Sequence, residues 1–144
     1  MSTIHTILSK IDRAKLEKVC RKRGILAVYL FGSQVDGFAD AMSDIDLGIL
    51  FLKEKDLSSP GTIYATLFND FSELFEGLMM GLDIVLLQRA PLLVAANAVR
   101  GELLYSADDE ERFDFVERIL TRAMDFRPWV ERYYKDLLHS IREG

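Results

Sequence analysis

Runs of apolar residues alternate along the chain with segments whose apolar positions recur at three- and four-residue steps. The apolar runs predict strands at 25–31, 45–52 and 82–87, the first of them buried on both faces. A short edge strand is expected at 101–105. Because strands alternate with helices from end to end, the pattern predicts an α/β or α+β domain.

Amphipathic spacing predicts helices in the intervening segments. They are expected at 10–23, from Thr62 to a stop at Gly77 or Gly81, and from Pro91 to about residue 100. A longer carboxyl-terminal helix is predicted over about 108–142, and Pro128 is expected to kink or divide it. Its apolar stripe gives it one face to bury.

The length of 144 residues suits one domain. We expect a single unit over 1–144, with a core at about 10–105 and a helical segment at about 108–142. The net charge of −5 argues against a broad grip on a nucleic-acid backbone. Cys20 is the only cysteine, so no internal disulfide is expected.

The apolar runs are much shorter than the roughly 20 residues of a membrane-spanning helix. The amino terminus also lacks the apolar core of a signal peptide. We therefore expect a cytoplasmic protein with no membrane partner.

The candidate chemistry lies between the first two strands, where Gly32-Ser33 is followed after ten residues by Asp44-Ile45-Asp46. In an extended strand alternate side chains share a face, so Asp44 and Asp46 are expected to project together while Ile45 faces the core. Two adjacent carboxylates repel each other, and a divalent cation that bridges them removes the repulsion. Because the ligands are hard oxygens, Mg²⁺ is the expected ion.

Two further features extend this site. Asp83 opens the third predicted strand, and its carboxylate would complete a cluster of three if that strand lay beside the second. Gly32 and Ser33 lie at a strand end, where a residue without a β-carbon lets the backbone approach a phosphate closely. The turn is therefore a candidate phosphate site.

Taken together, these motifs resemble those of the polymerase-beta-like nucleotidyltransferase superfamily, and within it the MNT, or minimal nucleotidyltransferase, branch. The resemblance extends from about residue 16 to 87, and the residues that carry it are Phe31-Gly32-Ser33, Gly37, Ser43-Asp44-Ile45-Asp46-Leu47 and Asp83. It implies a polymerase-beta-like fold with a small mixed sheet flanked by helices, and with the carboxylates at one edge.

The resemblance also implies roles for individual residues. Asp44 and Asp46 would hold two Mg²⁺ ions on a nucleoside triphosphate, with ATP as the expected substrate. Asp83 would complete the metal site and help to deprotonate the attacking hydroxyl. Gly32 and Ser33 would bind the β- and γ-phosphates, and the two ions would stabilise the entering and departing oxygens.

MNT proteins similar to this chain are commonly antitoxins that pair with HEPN ribonuclease toxins and adenylylate a toxin tyrosine. The resemblance therefore implies a HEPN-type toxin as the partner and transfer of AMP to its hydroxyl group. The apolar face of the last predicted helix also permits a homodimer.

Two alternatives stay open at this point. One is a nucleotidyltransferase of the aminoglycoside-modifying kind, with a small-molecule acceptor. The other is a non-catalytic antitoxin that acts by binding its partner. The second arises because Gln34 and Asp36 stand where members of the branch often carry basic residues.

Overall fold

The structure of the chain is a computed structural model that describes residues 11–32, 45–76 and 81–143, with side chains described through residue 125 and at Lys135. The strands in these ranges are β1 (Ile25–Phe31), β2 (Ile45–Phe51), β3 (Leu82–Leu86) and β4 (Glu102–Ser106). The α-helices are α1 (Arg13–Arg23), α2 (Pro60–Leu74), α3 (Leu92–Val99) and α4 (Asp109–Glu143). A short 3₁₀ helix, Leu87–Arg89, follows β3.

The strands form one sheet in the order β3-β2-β1-β4. β1 is antiparallel to both β2 and β4, whereas β2 and β3 are parallel. The parallel pair is joined through α2, as parallel neighbours need a crossover connection. The predicted mixed sheet is confirmed, and β4 is an edge strand as expected.

Each face of the sheet is covered by two of the helices in the described ranges, which accounts for the uninterrupted apolar run of β1. All seven residues of β1 are buried. On one face the sheet packs against Leu16 and Cys20 of α1 and Leu67 and Phe71 of α2. On the other it packs against residues of α3 and of the first part of α4, namely Ala95, Ala98, Ile119 and Ala123.

Capping interactions determine where α1 begins and ends. The Asp12 carboxylate accepts hydrogen bonds from the backbone N–H groups of Ala14 and Lys15, at 3.0 and 3.2 Å. The helix therefore begins at Arg13, and the predicted start at residue 10 is wrong. At the other end Gly24 adopts a left-handed conformation with φ of 68°, which terminates the helix.

The helix α2 differs from its prediction at both ends. It begins at Pro60 rather than Thr62, because proline fits the first turn of a helix, where a backbone N–H has no partner. It ends at Leu74, before the predicted stop at Gly77 or Gly81. Phe75 leaves helical geometry, with φ of −105°, and is buried in the core.

The helix α4 runs without a break from Asp109 to Glu143. Of the two outcomes expected at Pro128, division of the helix is therefore wrong. A proline removes one backbone donor, and the turns on either side keep their own hydrogen bonds. None of the helices in the described ranges is both long and apolar enough to cross a membrane.

Arg112 fastens the first turn of α4 to the sheet. Its guanidinium donates to the Tyr29 hydroxyl at 3.3 Å, to Ser106 Oγ at 3.0 Å and to Asp109 Oδ1 at 3.0 Å. Tyr29 lies in the middle of β1 and is buried. The helical pattern of α4 predicted an apolar face but gave no indication that an arginine would enter it.

Candidate active site

Asp46 and Asp83 are direct neighbours on adjacent parallel strands. Asp46 pairs with Asp83 in the register of β2 and β3. Neighbouring strands lie about 4.8 Å apart, and residues that pair across them project on the same side of the sheet. Asp46 is half-buried and Asp83 is exposed. The adjacency on which the predicted carboxylate cluster depended is therefore confirmed.

Burial of the flanking residues fixes the face on which the two carboxylates lie. Ile45 and Leu47 are fully buried on the side of the sheet that α1 and α2 cover, and Ile84 is buried on the same side. Because side chains alternate along a strand, Asp46 and Asp83 project to the opposite side, which α3 and α4 cover further along. The predicted orientation of Ile45 towards the core is confirmed.

Gly32 lies directly against the Asp46 carboxylate. Phe31, the last residue of β1, pairs with Asp46, and Gly32 follows it with φ of 94°. A β-carbon at position 32 would overlap Asp46 Oδ2 and lie 3.0 Å from Asp46 Cγ. The glycine was predicted as a position for close approach of a phosphate. The structure gives it a second function that the sequence did not reveal, which is to leave room for a carboxylate.

The two remaining residues of the predicted site, Ser33 and Asp44, lie outside the described residues. Each is adjacent in sequence to a described one, since Ser33 follows Gly32 and Asp44 precedes Ile45. Within the described ranges no group of three or more His, Cys, Asp or Glu residues could hold a metal ion. The carboxylates described at this edge are Asp46 and Asp83, whose oxygens are hard ligands of the kind that Mg²⁺ accepts.

The one cysteine takes no part in this edge of the sheet. Cys20 lies on the face of α1 that packs against the sheet and is fully buried in the core. Burial, with a smaller contribution from the nearby Glu17 carboxylate, raises the pKa of its thiol to about 12. A thiol that stays protonated at neutral pH is a poor nucleophile, so Cys20 serves packing.

The polymerase beta nucleotidyltransferase family model matches residues 14–110 of this chain. The chain belongs to this family. The match covers β1 to β4, and so includes Gly32, Asp46 and Asp83. The predicted membership of the nucleotidyltransferase superfamily is confirmed. No curated protein matches the chain in sequence.

Solved structures with the same fold come from toxin–antitoxin complexes. A chain of a toxin–antitoxin structure with AMP-PNP has a TM-score of 0.59 and 19% identity, covering 89% of this chain and 99% of that one. A chain of the MntA-HepT complex has a TM-score of 0.55 and 18% identity, covering 88% and 96%.

A third chain comes from the tri-AMPylated HEPN toxin of Shewanella oneidensis in complex with an MNT antitoxin. Its TM-score is 0.58 at 19% identity, and the alignment covers 88% of this chain and 95% of that one. Together the three alignments show that the chain has the polymerase-beta-like fold predicted from its motifs.

Proposed function

We propose that this chain is a Mg²⁺-dependent nucleotidyltransferase that transfers AMP from ATP to a hydroxyl group of a partner protein. The observation that carries the proposal is the register pair of Asp46 and Asp83 beside Gly32, in a chain of the polymerase beta nucleotidyltransferase family. Carboxylates paired on one face of a sheet, next to a close-approach glycine, suit a metal-bound triphosphate.

We assign the metal site to Asp44, Asp46 and Asp83. Asp46 and Asp83 lie side by side on neighbouring strands, and Asp44 would share their face if β2 continued by one residue. Bound Mg²⁺ would neutralise the charge of the triphosphate and of the departing pyrophosphate. Gly32 and Ser33 would bind the β- and γ-phosphates through their backbone N–H groups and the serine hydroxyl.

In the proposed reaction the acceptor hydroxyl oxygen forms a bond to the α-phosphorus of ATP. The bond from that phosphorus to the oxygen bridging to the β-phosphate breaks, and pyrophosphate leaves. We assign the hydroxyl proton to the Asp83 carboxylate. Asp83 is the more exposed member of the pair and lies on an edge strand, where an acceptor can approach it.

We further propose a HEPN-type toxin as the partner and a tyrosine hydroxyl as the acceptor, which makes the chain an antitoxin. The similar structures support the donor and the acceptor separately. One contains AMP-PNP, and another contains a HEPN toxin that carries three AMP groups beside an MNT antitoxin.

The test follows the label of ATP into protein. The purified chain is incubated with Mg²⁺ and host-cell extract, with ATP labelled at the α-phosphorus in one reaction and at the γ-phosphorus in another. AMP transfer places the α-label and not the γ-label on a protein band. Asp46→Asn and Asp83→Asn should abolish that band. Asp114→Asn, which changes an exposed carboxylate on α4 in the same way, should leave it intact.

The other outcomes overturn the proposal. Full labelling by Asp46→Asn excludes the assigned site. An α-label that enters only the small-molecule fraction moves the acceptor to the aminoglycoside type of alternative. If neither fraction is labelled even when a purified HEPN partner is added, a non-catalytic antitoxin that acts by binding is the better description.

A further inference from the structure

A cavity lies at the opposite end of the sheet from Asp46 and Asp83. Its volume is about 690 Å³, within the usual range of small-molecule sites. Its floor includes Leu50 and Phe51 at the end of β2, whereas Asp46 lies near the start of that strand. Leu50 is four positions along the strand from Asp46, a distance of about 13 Å. We call it the α4 cavity because one side of α4 forms a wall.

The walls of the α4 cavity are mostly apolar. Leu26, Leu50 and Leu87 are buried beneath it, and Ile119 is buried at its side. Phe115 of α4 contributes an aromatic ring. Such a lining favours a ligand with a flat or apolar body, because contact with it removes apolar surface from water.

The charged residues of the lining are mainly cationic. Lys53, Arg118 and Arg122 line the cavity, and Glu111 is the acidic residue that the described part of the chain contributes to the lining. Arg118 and Arg122 are one turn apart on α4, and both are exposed. Because the whole chain carries a net charge of −5, this local excess of positive charge is a distinct feature. It favours an anionic group on the ligand.

Glu111 adds a requirement for a hydrogen-bond donor. Its Oε2 atom is shielded from solvent and accepts no hydrogen bond from the described part of the chain. A shielded carboxylate oxygen without a donor is unfavourable, since it has lost hydration without replacement. An N–H or O–H group of a ligand in the cavity would supply that donor.

We propose that the α4 cavity binds a nucleoside monophosphate as a second site, separate from the active site. This ligand class combines the three features that the lining selects. Its base offers a flat face to Phe115 and the apolar walls, its amino and hydroxyl groups offer donors to Glu111, and its phosphate meets Arg118 and Arg122.

The test is calorimetric titration of the full chain with AMP in the presence of EDTA, because binding at the proposed active site depends on Mg²⁺. Adenosine, which lacks the phosphate, and inorganic phosphate, which lacks the nucleoside, are titrated in parallel. We expect AMP to bind at least about tenfold more tightly than either fragment, because each fragment loses one group of contacts.

Variants locate the bound AMP. Charge reversal at the two arginines, Arg118→Glu with Arg122→Glu, should weaken AMP binding by at least about tenfold. The matched control is Lys18→Glu with Lys22→Glu, two exposed lysines at the same spacing on α1, and it should bind as the native chain does. Asp46→Asn should also bind AMP normally.

Three results would overturn the proposal. They are no AMP binding at millimolar concentration, unchanged binding after reversal at the two arginines, and binding that is lost in Asp46→Asn. Circular dichroism of each variant verifies that it is folded, and Arg118→Gln with Arg122→Gln serves as a milder pair if charge reversal unfolds the chain. Binding lost only in the arginine pairs supports the proposal.

Discussion

The α-carbon of Gly32 and the carboxylate of Asp46 occupy adjoining space, so that a β-carbon on the first would lie 3.0 Å from Cγ of the second. The contact follows from the antiparallel register, in which Phe31 is opposite Asp46 and the chain turns away at Gly32 with φ of 94°. The glycine of the proposed phosphate site therefore also sets the position of a proposed metal ligand.

Gly32→Ala should impair the site and the fold together. The methyl group must displace the Asp46 carboxylate, and the positive φ adds strain of about 1–3 kcal/mol. We expect a lower free energy of unfolding in urea and a loss of AMP transfer. The control is Gly61→Ala, a position in α2 with open space around it. It should be neutral or stabilise by up to about 1 kcal/mol. Full transfer by Gly32→Ala would contradict the contact.

Mg²⁺ should raise the thermal midpoint of the native chain, and Asp83→Asn should reduce the rise. A ligand at a hundred times its Kd stabilises the folded state by about 2.7 kcal/mol. A tenfold loss of affinity on removal of one carboxylate would lower that figure by about 1.4 kcal/mol. The measurement is differential scanning fluorimetry with and without Mg²⁺, and Asp114→Asn should respond like the native chain. Equal shifts in all three proteins would disprove the metal assignment.

Cys20 should make stability fall at alkaline pH. The pKa of its thiol rises from 9.0 to about 12 on folding. The contribution of the buried thiol to the free energy of unfolding is therefore complete below about pH 9 and is lost as the pH rises from about 9 towards 12. The free energy of unfolding should fall by at most about 1.4 kcal/mol per pH unit in this range. Urea unfolding from pH 7 to pH 11 measures it, and Cys20→Ala should show a shallower decline. Parallel curves for the two proteins would count against this assignment.

Arg112→Met should destabilise the chain by about 1–3 kcal/mol, because it leaves the buried Tyr29 hydroxyl without this donor. For the exposed change Arg100→Met, the free energy of unfolding should stay within about 0.5 kcal/mol of that of the native chain.

Hydrogen bonds from Ser106 and Arg112 lower the pKa of the Asp109 carboxyl below 3.8. The contribution of Asp109 is therefore present above pH 3.8 and is lost as the pH falls through the lowered value. Urea unfolding of Arg112→Met and Arg100→Met measures the change in stability, and acid unfolding of the same two variants measures the pH dependence.

The side chain of Gln88 extends the hydrogen bonding of the sheet beyond the end of β3 and should protect the Phe51 amide from hydrogen exchange. Its amide accepts from the Phe51 N–H at 3.1 Å and donates to the Phe51 carbonyl at 2.8 Å. Gln88→Ala should speed exchange of the Phe51 amide hydrogen at least about tenfold. Gln88→Glu keeps an acceptor for that N–H and should retain most of the protection. Equal protection in the native chain and Gln88→Ala would show that the contact is unimportant.

The sequence by itself determined the secondary structure and the candidate chemistry. The apolar run of β1 predicted a strand buried on both faces, and alternation in β2 placed Ile45 towards the core. These features are local, since they depend on the period of a strand or helix and on neighbouring residues. The spacing from Gly32 to Asp46 likewise indicated the family, because it depends only on positions along the chain.

Only the tertiary structure decided which distant residues meet. Asp46 and Asp83 become neighbours because the crossover through α2 places β3 beside β2 and parallel to it. The order of the strands in the sheet depends on the packing of all the elements. The same holds for the contact of Gly32 with Asp46 and for Arg112 beneath Tyr29. Helix ends were also decided by non-periodic contacts, such as the Asp12 cap, to which a hydrophobic pattern is insensitive.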